Sequence, residues 1–70
     1  MTPLRIARKQ KNLTQKALAQ VVGVSQAHIS MVESGSERAS AQLAEKLVEV
    51  IGRKLITEEQ VLYPERYQND

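Results

Sequence analysis

Residues 14–35 read TQKALAQVVGVSQAHISMVESG, and the pattern inside them is that of two short helices meeting at a tight turn. Thr14 and Ser25 each stand just before a helical pattern, where a side-chain oxygen accepts an otherwise unpaired backbone N–H. Leu18 and Val22, then Ile29 and Val32, recur at helical spacing and mark one inward side on each segment. Gly23 supplies the left-handed residue that ends the first helix. Val24 plugs the angle between the two helices, and Ala19 is small where they cross closely.

Helix, turn and helix at this spacing make a helix-turn-helix. Outward from it, the same punctuation divides the rest of the chain. Thr2 precedes Pro3, which suits a first helical position because its missing N–H needs no partner there. Ser40 and Thr57 are further helix starts, and Thr57 with Gln60 forms a capping box. Leu13 with Leu18, Val24 with Ile29, and Ile56 with Val61 are spaced as hydrophobic staples. Gly35 and Gly52 are expected to end helices in the left-handed conformation, and Asn12 to do so between the first two. The expected helices are 3–11, 15–22, 26–34, 41–51 and 58–62, with no strand, because no stretch alternates apolar and polar residues strictly enough. Leu4, Leu18, Val22, Val24, Ile29, Val32, Leu43, Leu47, Val50 and Ile51 are expected to share one core. Residues 53–55 read as a short connection. Residues 63–70 read as a tail in which only Tyr63 and Tyr67 have reason to pack. The single all-α domain is drawn at 1–66, with 67–70 as the tail.

Seventy residues allow one domain, and a core that small leaves little room for an enzyme pocket of roughly 300 Å³ or more. The chain has no cysteine and one histidine, His28, which removes thiolate chemistry and metal sites built on sulfur or clustered imidazoles. The sequence therefore predicts no enzyme, no cofactor, no metal and no small-molecule ligand. No apolar run approaches the ~18 residues of a membrane span, and no secretory signal is visible, so a cytoplasmic protein is expected. The net charge of +2 conceals a strong polarity. Residues 1–32 hold Arg5, Arg8, Lys9, Lys11 and Lys16 and no acid, whereas residues 33–70 hold eight acids and five bases. A chain with one cationic end suits a polyanion. Tyr63 and Tyr67 are the only aromatics, too few for the stacking platforms of single-strand binders, which favours duplex DNA.

Residues 14–35 resemble the helix-turn-helix of the Cro/cI family of phage repressors, also called the XRE family. LRIARKQKNLTQ, residues 4–15, is similar to that family's first helix and turn. The Ser34-Gly35 pair, the fourth helix and TEEQVLYPER, residues 57–66, are similar to the later parts of many short members, so the resemblance covers 4–66. It implies a compact lambda-repressor-like fold of five helices and a transcriptional regulator, expected to repress by occupying an operator. It also implies a phage or prophage setting and a homodimer, at least on DNA. The third helix would place its N-terminal part in the major groove. Gln26, Ala27 and Ser30 fall on the side opposite Ile29 and Val32, with Met31 at the margin. Gln26 is the strongest base reader, since its amide can pair with both N6 and N7 of adenine, and Ala27 or Met31 can meet a thymine methyl.

Phosphate contacts are expected from Thr14, Gln15, Lys16, Ser25, Ser34, Ser36, Arg38 and Arg8, with Gln15 also bracing Gln26. The resemblance pairs Arg8 with Glu33 in a partly buried ion pair. Residues 36–39 depart from many members in carrying one base, one acid and no proline, which weakens the phosphate clamp expected there. His28 is expected on the inward or flanking side of its helix. Leu55, Leu62, Tyr63 and Tyr67 are more apolar than the end of a monomer requires and mark the expected dimer surface. The alternative function is an antitoxin or protein-interaction module whose acidic second half binds a basic partner.

Overall fold

The computed structural model describes residues 2–67. Helix α1 spans Pro3–Gln10, α2 Gln15–Val22, α3 Gln26–Ser34, α4 Ala41–Ile51 and α5 Glu58–Leu62, followed by a 3-10 turn at Pro64–Arg66. Among the described residues there is no strand, and no helix is long and apolar enough to cross a membrane. The fold is the expected all-α one.

The helix starts are those written in the sequence. The side chains of Thr14, Ser25, Ser40 and Thr57 accept from the N–H groups of Ala17, His28, Leu43 and Gln60. Each such cap contributes about 1 kcal/mol. The Thr57–Gln60 capping box is closed from both sides. Thr2 is the exception. Its hydroxyl caps nothing; it is buried and donates to the Glu33 carbonyl, tying the start of α1 to the end of α3.

The stops show why certain residues are needed. Asn12 takes φ 60°, so its N–H reaches the Lys9 carbonyl at 3.0 Å and that of Leu13 reaches Arg8 at 3.1 Å. These are the two bonds of a Schellman ending. Gly23, at φ 80°, lets the N–H of Val24 reach the Ala19 carbonyl at 3.0 Å, which folds Val24 back beneath α2. Gly52 departs from expectation. At φ 113° and ψ 139° it lies outside the left-handed helical region.

Helix α2 packs on α3 and α4, while α5 packs on α4 and α1. The core holds Leu4, Leu18, Val22, Ile29, Val32, Leu43, Leu47 and Ile51 as expected. Val24 and Val50 only lean against it, and Leu13, the outer half of a staple, does the same. The expected set lacked Ala7, Ala19, Ala39, Ala44, Val48, Ile56 and Val61, all buried. Ala7, Ala19 and Ala44 are buried within helices and Ala39 in the loop before α4, while Ile56 and Val61 close the core from the C-terminal side.

Residues 63–67 are largely exposed but are tied down by side-chain contacts. The Arg66 guanidinium lies 4.6 Å from the centroid of the Tyr63 ring and that of Arg38 lies 5.2 Å from it. Hydrogen bonding to Glu59, with some desolvation, holds the Tyr67 phenol above its ordinary value. Residues 68–70 of the expected tail lie outside the described residues.

Candidate nucleic-acid interface

A helix can read a groove only if one side is free and the other is fixed. Helix α3 is divided that way. Ile29, Val32 and Glu33 are buried, while Gln26, Ala27, Ser30, Met31 and Ser34 are exposed. Gln26 and Ala27 fill the first turn, directly after the Ser25 cap, and Ser30 continues the row one turn on. The four expected base readers therefore share the open side of one helix. Met31 is 43% exposed and stands at its edge.

Glu33 fixes the helix. Its carboxylate is 2% exposed and receives the Arg8 Nε at 2.5 Å, the Arg8 Nη2 at 3.3 Å and the Gln15 Nε2 at 3.0 Å. Arg8 Nη1 donates to the Leu13 carbonyl at 2.7 Å. With the Thr2 hydroxyl on the Glu33 carbonyl, this one residue ties α3 to both ends of α1 and to the first turn of α2. Among the described residues no buried side-chain polar atom is left without a partner. A buried charge costs several kcal/mol unless it is paired and hydrogen-bonded, and here it is both.

The ion pair changes the reading of two expected phosphate ligands. Arg8 is 7% exposed and its three nitrogens are engaged by Glu33 and Leu13. Gln15 is half-buried and braces Glu33, not Gln26. It still stands at the first position of α2, where the backbone N–H groups point outward and favour an anion.

The other candidates divide into open and engaged groups. Lys16 is exposed and has no ion-pair partner among the described residues. Thr14 and Ser25 use their oxygens as acceptors for the caps at 3.0 Å, which leaves their hydroxyl protons free for a phosphate. Ser34 donates to the Met31 carbonyl at 3.1 Å and lies 2.9 Å from the Ser36 hydroxyl. Those two hydroxyls are therefore satisfied by each other and by the backbone. Arg38 bends toward the C-terminal segment, donating to the Leu62 carbonyl and lying 3.4 Å from Glu65.

His28 flanks the reading side as expected. Its side chain is 31% exposed, with Nδ1 3.4 Å from Glu37. Three features escaped the sequence reading: the Thr2 bond to α3, the Glu37 partner of His28, and the stacking of Arg38 and Arg66 on Tyr63. For Arg66 a signal was present, since an arginine three residues after a tyrosine is a natural cation–π partner, whereas Arg38 comes from a distant part of the chain.

A family model described as helix-turn-helix matches residues 4–56, well over half of the chain. No curated protein and no solved structure gives a significant match. The matched span takes in α2, α3 and α4 and all but the first residue of α1, and so holds the Arg8, Gln15 and Glu33 cluster that ties α3 to α1 and α2. On the sequence match and on this arrangement, the chain belongs to the helix-turn-helix family of Cro/cI type, a family of DNA-binding regulators.

Proposed function

We infer that the chain is a sequence-specific regulator that binds duplex DNA with α3 in the major groove and represses by occupying its operator. The observation that carries this reading is the open row Gln26, Ala27 and Ser30 on a helix whose other side is locked by Glu33. A reading helix held this rigidly spends little binding energy on ordering itself. Gln26 reads adenine, Ala27 and Met31 meet thymine methyls, and Ser30 bonds either kind of base edge. Thr14, Gln15, Lys16 and Ser25 hold the phosphates on either side.

The chain acts as a homodimer on DNA. One copy is 29 Å along its longest axis, less than the ~34 Å between half-sites one turn apart, so two copies fit side by side. Ile6, Leu55 and Tyr67 are exposed around one shallow groove and are the surface on which the copies meet. Occupancy excludes polymerase or another regulator, and the protein works wherever its DNA is, in the cytoplasm of a bacterial or phage-infected cell. The antitoxin reading is weaker, because Glu58, Glu59 and Glu65 are already within ion-pair distance of Arg53, Arg66 and Arg38.

Selection of binding sites from random duplex DNA at moderate salt tests the proposal. It should return a two-fold symmetric motif with an adenine facing Gln26 in each half. Equal and weak binding to every duplex would refute it, and a stably co-purifying protein partner would move the antitoxin reading ahead.

A further inference from the structure

The loop that follows α3 borders its open side. The Glu37 N–H donates to the Met31 carbonyl at 3.2 Å, and the Ser36 hydroxyl lies 2.9 Å from that of Ser34. The Glu37 carboxylate is 3.4 Å from His28 Nδ1. Met31 and Ser34 are on the exposed side of α3, and His28 flanks it. Arg38 comes next and is the one base in residues 35–39, while Ala39 is buried and anchors the loop in the core. A duplex seated on α3 would pass its backbone along this loop.

Arg38 nevertheless points to another partner. Its guanidinium donates to the Leu62 carbonyl, lies 3.4 Å from the Glu65 carboxylate and stands 5.2 Å from the centroid of the Tyr63 ring. A carbonyl, a carboxylate and an aromatic ring of one short segment thus converge on one cation across the cleft between residues 35–38 and 64–65. That segment is also tied to the body of the fold without Arg38. The Arg66 guanidinium lies 4.6 Å from the Tyr63 ring and 3.5 Å from Glu59 of α5, and α5 packs on α4 and α1.

The charge left beside the reading helix is unfavourable to a polyanion. Glu37 and Glu65 flank the loop, and Arg38 is already shared with Glu65. The arrangement is also reversible. The side chains of Arg38 and Glu65 are each 56% exposed, and exposed ion pairs and exposed cation–π contacts are individually weak. A guanidinium fork fits a phosphate as well as a carboxylate.

We propose that residues 63–67 are an autoinhibitory strap, in which Tyr63 and Glu65 withhold Arg38 from the DNA backbone and keep affinity below what the loop after α3 could supply. The strap rests on the duplex-DNA reading above. It acts on every duplex alike, because a phosphate contact carries no sequence information.

The test compares the full-length wild-type chain with Tyr63→Leu/Glu65→Gln and with Tyr63→Leu/Glu65→Gln/Arg38→Gln, which restores the wild-type net charge. Each is titrated with one selected duplex between about 50 and 200 mM salt. A released Arg38 that neutralises one more phosphate adds ~0.9 to the slope of log affinity against log salt. The loosened variant should therefore bind more tightly at low salt and lose about 3.5-fold more affinity over that range than the wild type. Removing Arg38 as well should return the slope to the wild-type value. Glu65→Gln alone alters one exposed side chain and should steepen the slope in the same direction by less, so the test does not depend on the fold tolerating loss of the ring. Glu45→Gln makes the same charge change at an exposed residue of α4 that forms no ion pair with a described residue, and it should keep the wild-type slope. An unchanged slope in both strap variants overturns the strap and leaves the DNA reading intact. A steepening that persists without Arg38, or that Glu45→Gln reproduces, overturns it in favour of another cation or of net charge. A wild type that binds no duplex overturns the DNA reading and the strap together.

Discussion

Replacing Arg8 with alanine tests the part of the architecture on which the reading helix depends. Arg8 and Glu33 are 7% and 3% exposed, and the substitution leaves a buried carboxylate whose remaining side-chain donor is Gln15. Removing one partner of a buried pair costs about 3–5 kcal/mol, most of it the penalty of the charge left behind. At roughly 0.05–0.15 kcal/mol per residue, a domain of 70 residues has about 4–10 kcal/mol in all. Arg8→Ala should therefore remove a large share of the stability, lowering the thermal midpoint by at least ~12 °C at about 4 °C per kcal/mol. Urea unfolding followed by helical circular dichroism gives the free energies for Arg8→Ala, Glu33→Ala and the double variant. The two single losses should fail to add, with a coupling of about 1–3 kcal/mol. An Arg8→Met/Glu33→Leu variant removes both charges and fills their volume, so it should recover most of the loss. A loss below about 1 kcal/mol for Arg8→Ala, or additivity within the ~0.5 kcal/mol typical of independent sites, would refute the claim that this pair holds α3 in place.

Three further outcomes follow from single contacts. Thr2→Val keeps the shape of a buried side chain but strips the bond to the Glu33 carbonyl. Equilibrium unfolding should show a loss of about 1–3 kcal/mol, whereas a neutral result would make Thr2 mere filling. Gly23→Ala has open space for its Cβ, with nothing within 4 Å, but must hold φ 80°. It should cost about 1–2 kcal/mol through backbone strain alone, and Gly23→Asn should cost less. Tyr63→Ala removes the ring that two guanidinium groups contact and should lower stability by about 0.5–1 kcal/mol, with faster amide exchange over residues 64–67. Unchanged exchange there would mean the segment is held by its backbone bonds.

How far the fold could be read from sequence varies with the range of the interaction. Helix limits were legible because caps and stops are local. Thr14, Ser25, Ser40, Thr57, Asn12 and Gly23 each act within a few residues, and only the end of α1 moved, from 11 to 10. The role of Thr2 was not legible, for a physical reason. Its place before Pro3 marks only a helix start, while its hydroxyl finds a carbonyl 31 residues away, and nothing local signals that choice. Gly52 was read as a left-handed stop, yet its backbone is φ 113° and ψ 139°, and its carbonyl takes the N–H groups of Leu55 and Ile56 in the turn that leads to the buried Ile56.

The site divides in the same way. The open row on α3 follows from helical geometry, so Gln26, Ala27, Ser30 and Met31 could be placed from spacing. The buried pair of Arg8 with Glu33 came from family resemblance, because two charged residues 25 positions apart show no local pattern. The roles of Arg8, Gln15 and Arg38 toward phosphate were harder to read. Each donor has a competing partner, and only the tertiary structure shows that Glu33 takes the first two and the C-terminal segment takes Arg38.

The central claim is that α3 reads bases, with Gln26 as its main reader. The direct measurement is the affinity of wild type and Gln26→Ala for a selected duplex and for a scrambled duplex of equal length and salt. Loss of a bidentate adenine contact should weaken binding to the selected duplex by about 1–3 kcal/mol, roughly five- to 150-fold, and leave binding to the scrambled duplex unchanged. Equal binding of both proteins to the selected duplex, or an equal loss on both duplexes, would contradict the account.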